Sequence, residues 1–409
     1  MLVTTLFAAV IVGFPSVCVG GQLDQVRPEP KEAQQAQEAA QEQFQANFAS
    51  SHPLPLTDYW ATNPFLALRT AVNNVSEQNQ LPGITPSFSV DGELIVTSSI
   101  ADNTSYIYDR SGNQTMTLEG AEPYFSADGG LIVTFSEVDN ASYIYDRSGN
   151  QTTTLQGLYP SFSADEGLIG TSSEADNRSY IYDRSGNQTT TLQGLYPSFS
   201  PDGGLIVTFS EVDNTSYIYD RSSNQTTTLQ GLHPSFSPDG ELIGTSSEAD
   251  NRSYIYDRSS NQTTTLQGLH PSFSPDGELI VTGSSEVDNT SYIYDRSGNQ
   301  MATLQGIHPL FSPDGQLIIT AYDYDISYIY DRLGKHMAPV EGVEPQFSED
   351  GQLIVTSSFT GDASFIYDRS SNQTTIVQGI YSSFSPDGQL IGTSSYDHNT
   401  SYIYERLGN

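Results

Sequence analysis

A Phe-Ser pair recurs at Phe88, Phe125, Phe162, Phe199, Phe236, Phe273, Phe311, Phe347 and Phe384, at intervals of 37 residues broken once by 38 and once by 36. Self-similarity at such a period implies stacked supersecondary units, none of which can bury its apolar faces alone. In the copy from Leu232 to Gly268, three turn signals cut the unit into four stretches: Pro238 to Gly240, Glu248 to Asn251, and Arg258 to Asn261. The stretches between them, Pro234 to Ser237, Leu242 to Ser246, Ser253 to Asp257 and Gln262 to Leu266, read as strands. Runs such as Leu-Ile-Val-Thr and Tyr-Ile-Tyr are apolar on both faces, which suits strands sandwiched between neighbouring sheets. A repeated four-stranded sheet buried on both sides is a propeller blade. The competing β-solenoid has shorter coils and lacks three hairpin turns per unit. The fold class is therefore all-β, a single propeller of about nine four-stranded blades behind a short helical or irregular N-terminal segment.

The repeated core, Phe-Ser-Pro-Asp-Gly followed by Leu-Ile and a Tyr-Ile-Tyr-Asp strand, resembles WD40-type and WD40-like TolB-type propeller repeats across Leu81 to Asn409. Phe199 to Gly203, Phe236 to Gly240, Phe273 to Gly277, Phe311 to Gly315 and Phe384 to Gly388 carry the five-residue element in full, and Tyr219-Asp220 and Tyr256-Asp257 stand where WD40 repeats place Trp-Asp. The Gly-His that WD40 repeats carry well ahead of the first strand is missing. Gly231 is followed by Leu and lies five residues before Phe236, a short connection closer to TolB-type repeats, whose members are often periplasmic or secreted. The lead-in from Ala67 to Leu81 is similar to that of bacterial, especially cyanobacterial, WD40 proteins.

The ninth unit reaches Asn409 after its third strand, so another segment is expected to supply the fourth. Aligning Leu81 to Phe88 with Leu192 to Phe199 puts Ser76 to Leu81 in the place of a fourth strand, and pairing there would close the ring and remove a free edge. Nine blades exceed the usual four to eight. Neighbouring copies alternate between Leu-Ile-Val-Thr-Phe-Ser at Leu131 and Leu205 and Leu-Ile-Gly-Thr-Ser-Ser at Leu168 and Leu242, the pattern of a duplicated two-blade unit.

Ahead of the repeats, an apolar run from Leu2 to Phe14 has the length of a signal h-region rather than a membrane span, and cleavage after Gly20 suits it. No Lys or Arg precedes the run, so an uncleaved anchor within residues 1–20 is the alternative. Val17 before Cys18 does not fit a lipoprotein site. Residues 21–75 form a Gln/Ala-rich linker with helical propensity from Lys31 to Phe48, the sole tryptophan Trp60, and an amphipathic stretch from Phe65 to Gln78 that suits a helix. The propeller then spans 76–409. These features point to a secreted, periplasmic or membrane-tethered protein. Its one cysteine, Cys18, leaves the fold to packing alone.

With 49 acidic against 15 basic side chains, the net charge of −34 repels phosphate and anionic headgroups, so no nucleic-acid partner is expected. His233, His270 and His308 occupy equivalent positions in three successive units and are the candidate metal ligands, but equivalent atoms on neighbouring blades stand too far apart for ligand bonds of about 2.1 Å. The Asp of each Pro-Asp-Gly turn and the Asp220-Arg221 type of pair read as turn bonding and surface ion pairs. Acidic loops at Glu137, Glu211 and Glu286 lack the spacing of a calcium loop, of which Ala321 to Ser327 is only a variant. Glycosylation sequons at Asn187, Asn224, Asn261 and Asn289 follow from the turn sequence. No nucleophile elbow, phosphate loop, cysteine cluster or zinc motif appears, and near-identical blades do not converge different groups on one point. The expectation is a non-catalytic scaffold for protein partners outside the cytoplasm, monomeric and without a cofactor. A glycan-binding propeller using tyrosines such as Tyr254 and Tyr256 is the alternative, ahead of a hydrolase or lyase with a channel site.

Overall fold

The computed structural model describes residues 75–284, 288–322, 325–359 and 361–406. The readings placed on residues 1–74, and on Glu286 and the centre of the 321–327 stretch, lie outside the described residues.

Nine four-stranded antiparallel sheets form the ring. Blade 1 runs Ile84–Phe88, Leu94–Ser99, Thr104–Asp109 and Gln114–Glu119, paired in chain order, and seven further blades repeat it. First strands of neighbouring blades pack on one another, so they surround the axis and the fourth strands lie outermost. In blade 5 the strands are Leu232–Phe236, Leu242–Ser247, Arg252–Asp257 and Gln262–Gln267, so the first begins two residues before the sequence-based boundary. Second strands are buried along most or all of their length, completely in Leu205–Ser210, which is what β-branched and apolar side chains on both faces require.

The Phe-Ser-Pro-Asp-Gly element makes the turn from first to second strand. In blade 4 the Ser200 hydroxyl donates to Asp202 Oδ1 at 2.5 Å, the same carboxylate accepts the Gly204 N–H at 2.9 Å, and the Leu205 N–H donates to Ser200 Oγ at 2.8 Å. Gly203 sits at φ +67°, a left-handed conformation that glycine adopts without a Cβ penalty.

Closure follows the expected route. Val75–Pro82 pairs antiparallel with Thr400–Arg406, with Gln80 opposite Tyr402 and Leu81 opposite Ser401. Leu81 joins Phe88, Ile95, Tyr108, Leu390 and Ile403 in a buried cluster that spans the seam between blades 9 and 1. The helical reading of 65–78 gives way over residues 75–78. A short helix with few apolar contacts is marginal alone, whereas the open edge of blade 9 offers this backbone a full ladder of partners.

Each seam between blades is sewn by the same bond. A threonine in the second strand donates its hydroxyl to the carbonyl that ends the preceding blade's fourth strand: Thr245 to Gln230 at 2.6 Å, Thr393 to Gln378 at 2.6 Å, and Thr97 to Pro82 of the closing strand at 2.6 Å. The bond recurs in all nine seams. The second tyrosine of the Tyr-Ile-Tyr strand adds a donor to that carbonyl in six of them, as from Tyr182 to Gln156 at 3.1 Å and from Tyr108 to Pro82 at 3.0 Å.

At the turn end of the same strands, arginines reach backwards around the ring. Arg147 meets Asp91 of the preceding blade at 2.5 Å, Arg332 meets Asp276 at 2.6 Å, and Arg110 meets Asp387 across the closure at 2.9 Å. The aspartate of each Asp-Arg pair bonds its own turn and the arginine forms a surface ion pair, as read from sequence, but the arginine's partner is the turn aspartate of the preceding blade.

Blades 4, 5 and 8 depart from this scheme together. Their third turn reads Arg-Ser-Ser-Asn, and the asparagine rather than a glycine takes the left-handed position, with φ of 55°, 56° and 56° at Asn224, Asn261 and Asn372. The following hairpin is regular, whereas blade 1 and others with Arg-Ser-Gly-Asn place a bulge in the fourth strand. In these three blades the tyrosine hydroxyl turns to the asparagine, Tyr219 to Asn224 Oδ1 at 2.6 Å for example, and leaves the seam. The arginine link lengthens too. Arg258 stands 3.9 Å from Asp202, and Arg221 and Arg369 act on Asp165 and Asp314 at longer range. Turn type thus tracks which tyrosine and arginine contacts cross each seam.

Replacing Ser223 by glycine is expected to permit the bulged turn, return the Tyr219 hydroxyl to the Gln193 carbonyl and raise stability by about 1 kcal/mol. Thermal unfolding of S223G beside the parent measures this, and an unchanged or lower midpoint would show that the turn does not direct the tyrosine.

Candidate functional site at the channel mouth

Antiparallel topology sends the links between blades and the loops between second and third strands to one end of the ring. The link is built on glycine. Gly231, at φ +95°, lies so close to the second strand of the blade it leads into that a Cβ would stand 2.7 Å from the Ser246 carbonyl oxygen. Two residues later comes a position that is left-handed in every blade: Thr85, Glu122, Tyr159, Tyr196, His233, His270, His308, Glu344 and Tyr381 have φ between 49° and 54°. None is glycine, although the conformation costs an L-residue about 1–2 kcal/mol. A serine of the preceding blade holds several of them by the backbone N–H, as Ser246 Oγ does for His270 at 2.7 Å and Ser172 Oγ for Tyr196 at 2.7 Å.

The side chains of this ring touch from blade to blade. Centroids follow one another from Phe135 to Tyr159 at 4.9 Å, Tyr196 at 5.5 Å, Phe209 at 5.2 Å, His233 at 4.7 Å and His270 at 5.6 Å. Above them, loop carboxylates accept the phenols: Tyr159 Oη lies 3.4 Å from Glu137 Oε1 and Tyr196 Oη 3.0 Å from Glu174 Oε1. Burial and these carboxylates push the Tyr159 phenol far up. Burial, with His270 beside them, lowers His233 and His308 to about 4, so both imidazoles are neutral at pH 7. Burial also lowers His270. Glu344 is pushed up to about 7 by burial.

The candidate metal ligands His233 and His270 thus pack as tilted neighbours in the aromatic chain, and among the described residues no three His, Cys, Asp or Glu side chains come within reach of one ion. The acidic loops use their aspartates structurally. Asp139 accepts from Ser136 at 2.7 Å and Tyr143 at 2.9 Å, and these donors hold its carboxyl below the ordinary range. Tyr254, considered for sugar stacking, donates to Asp250 and accepts from Gln230 of the preceding blade, while Tyr256 donates to Asn261. The sequon asparagines divide by turn: Asn187 Nδ2 is spent on Asp183, whereas Asn224 and Asn261 serve the tyrosines through Oδ1.

The sequence reading took the three histidines as candidates and placed Glu122, Tyr159, Tyr196, Glu344 and Tyr381 at the same position, but it missed Thr85 and the left-handed backbone they share. Its signal was present as a column that varies between four residue types while the glycine two residues earlier stays fixed. The same is true of the loop position. Glu137, Glu174, Glu211 and Glu248 occupy it in blades 2 to 5, and Phe359, Tyr396 and Ile100 occupy it in blades 8, 9 and 1.

Glu344 provides a test of how the mouth is built. Its folded carboxyl titrates near 7 against an ordinary 4.5, so the folded state binds the extra proton between these values and stability falls as pH rises through the window. Relative to Glu344→Gln, the parent should lose about 1–3 kcal/mol between pH 4.5 and 7 and nothing further above it. The histidines pull the opposite way but are common to both proteins. A constant difference across that range, read by denaturant melts, would place Glu344 in water.

A family model described as a MORN repeat variant matches residues 377–398, a stretch that runs from the end of blade 8 through the second strand of blade 9. No curated protein matches the sequence. Among solved structures, the C-terminal WD40 domain of Sif2 is similar with a TM-score of 0.55 at 12% identity, over 82% of this chain and 99% of that one. A eukaryotic initiation factor is similar with a TM-score of 0.55 at 16% identity, over 71% of this chain and 86% of that one. At these identities the likeness concerns the fold alone, a β-propeller, which in this chain has nine blades.

Proposed function

We propose that this propeller is a non-catalytic scaffold that engages a protein partner through its channel mouth, outside the cytoplasm. The observation that carries the reading is the left-handed ring. Nine bulky or polar residues of four types are held where glycine would relieve strain, and strain maintained in this way is a mark of a working surface. The repeated frame beneath is nearly the same in each blade, so the mouth is where the copies differ and where a partner is distinguished from others. The extracytoplasmic setting rests on the apolar run from Leu2 to Phe14 and on the TolB-type likeness of the repeats.

The test compares three baits in affinity capture from the native host: the parent, a mouth variant carrying F359S and Y396S, and a variant of the opposite end carrying V90S and L333S. Proteins retained by the parent should persist with the opposite-end variant and disappear with the mouth variant. Loss with the opposite-end variant alone would move the binding surface to the other face.

A further inference from the structure

The mouth is chemically divided. At one register position, just past the second strand, blades 2 to 5 present Glu137, Glu174, Glu211 and Glu248 in succession. Blades 8, 9 and 1 present Phe359, Tyr396 and Ile100 there, with 43%, 50% and 56% of their surface in water. Phe359 and Tyr396 stand on consecutive blades, and pairing of Val75–Pro82 with blade 9 brings Ile100 of blade 1 beside them. The result is an acidic arc facing an apolar arc across one opening. Tyr381, on the inner ring of blade 9, packs edge-on against Tyr396 at 5.3 Å and continues the apolar side inward.

Among the described residues, cations are scarce at this end. Arginines 110, 147, 184, 296, 332 and 406 are paired to aspartates at the opposite end, and with Arg221, Arg258 and Arg369 in the equivalent places nine of the 15 basic side chains are committed there. Arg178 and Arg252 begin third strands, two strands out from the axis, and Arg178 lies beside Asp176 of its own loop. Among the described residues none of the acidic-arc carboxylates forms an ion pair, Arg178 and Arg252 being the basic side chains nearest in sequence to Glu174 and Glu248, and the whole chain carries a net −34. A field of this sign attracts cationic partners and raises their association rate, most strongly at low ionic strength.

Resting on the reading of the mouth as the binding face, we propose that its partner presents a basic polypeptide segment carrying a large apolar anchor, with Lys or Arg set against Glu137, Glu174, Glu211 and Glu248 and the anchor against Phe359, Tyr396 and Ile100. Charge complementarity selects the segment and burial of the anchor holds it. A surface of acidic character alone would bind any polycation; the apolar arc restricts binding to segments that combine the two features.

The experiment is selection of random peptides of roughly 12 residues, displayed on phage, against the immobilised full chain, followed by fluorescence anisotropy of the enriched peptides. Enriched peptides should carry surplus Lys and Arg with at least one Leu, Ile, Phe, Trp or Tyr, and their affinity should fall at least ~tenfold between about 50 mM and 300 mM NaCl. The quadruple variant E137Q, E174Q, E211Q and E248Q should weaken them and flatten the salt dependence. The variant F359S with Y396S should weaken them with the salt dependence kept. Melting curves of both variants confirm folding, and reversing the charge of each peptide repeats the test on the unaltered protein. Enriched peptides that are neutral or acidic yet respond to the mouth variants would overturn this proposal and leave the mouth as the binding face. Peptides that ignore both variants, or no enrichment, would overturn both.

Discussion

A single carbonyl at the end of each blade's fourth strand, accepting a threonine hydroxyl from the next blade, is the contact on which the ring depends. It fixes one sheet against its neighbour at the edge where the chain crosses between them. The crossing glycine leaves no room for a Cβ, and the next residues inherit a defined direction toward the axis. Because Pro82 supplies this carbonyl to Thr97 as Gln230 does to Thr245, the seam made by the chain's two ends is built like the others. Closure is therefore not a patch over a gap but the same joint formed by a segment that precedes the first blade.

Upon that joint the tyrosine and arginine contacts act as variable reinforcement. Individual exposed ion pairs contribute about 0–1 kcal/mol, so their value lies in regular repetition around the ring rather than in any one pair. Where the third turn lacks glycine, both reinforcements slacken together. The asparagine adopts the left-handed position, the hairpin loses its bulge, and the tyrosine hydroxyl bonds within its own blade. The ring is thus uniform in its threonine bonds and uneven in everything added to them. At the mouth the pattern inverts, since the backbone is held uniform and the side chains vary.

Much of the frame was legible in the sequence because its determinants are local. Turn residues at fixed offsets and strands apolar on both faces define a blade within a single repeat, and the missing ninth fourth strand pointed to residues 76–81. The overlap of that strand with a helical pattern at 75–78 shows the limit, since pairing with a distant edge overrides local preference. The inter-blade role of Arg147 and Asp91 was hidden because two local motifs, each sensible alone, meet only across a seam. The mouth was hidden for a related reason. Tyr396 and Ile100 are neighbours only in a closed ring, and no local signal marks a histidine or tyrosine as left-handed. The histidines stood out by residue type, yet their neutrality comes from packing within the aromatic chain.

Native-state hydrogen exchange in increasing denaturant measures the opening of each seam directly. If turn type governs seam strength, the amides flanking the joints into blades 4, 5 and 8 exchange through sub-global openings of lowest free energy, while those of Val75–Pro82 open with the remaining seams. Opening first at the closing strand, with blades 4, 5 and 8 indistinguishable from the rest, would contradict the account.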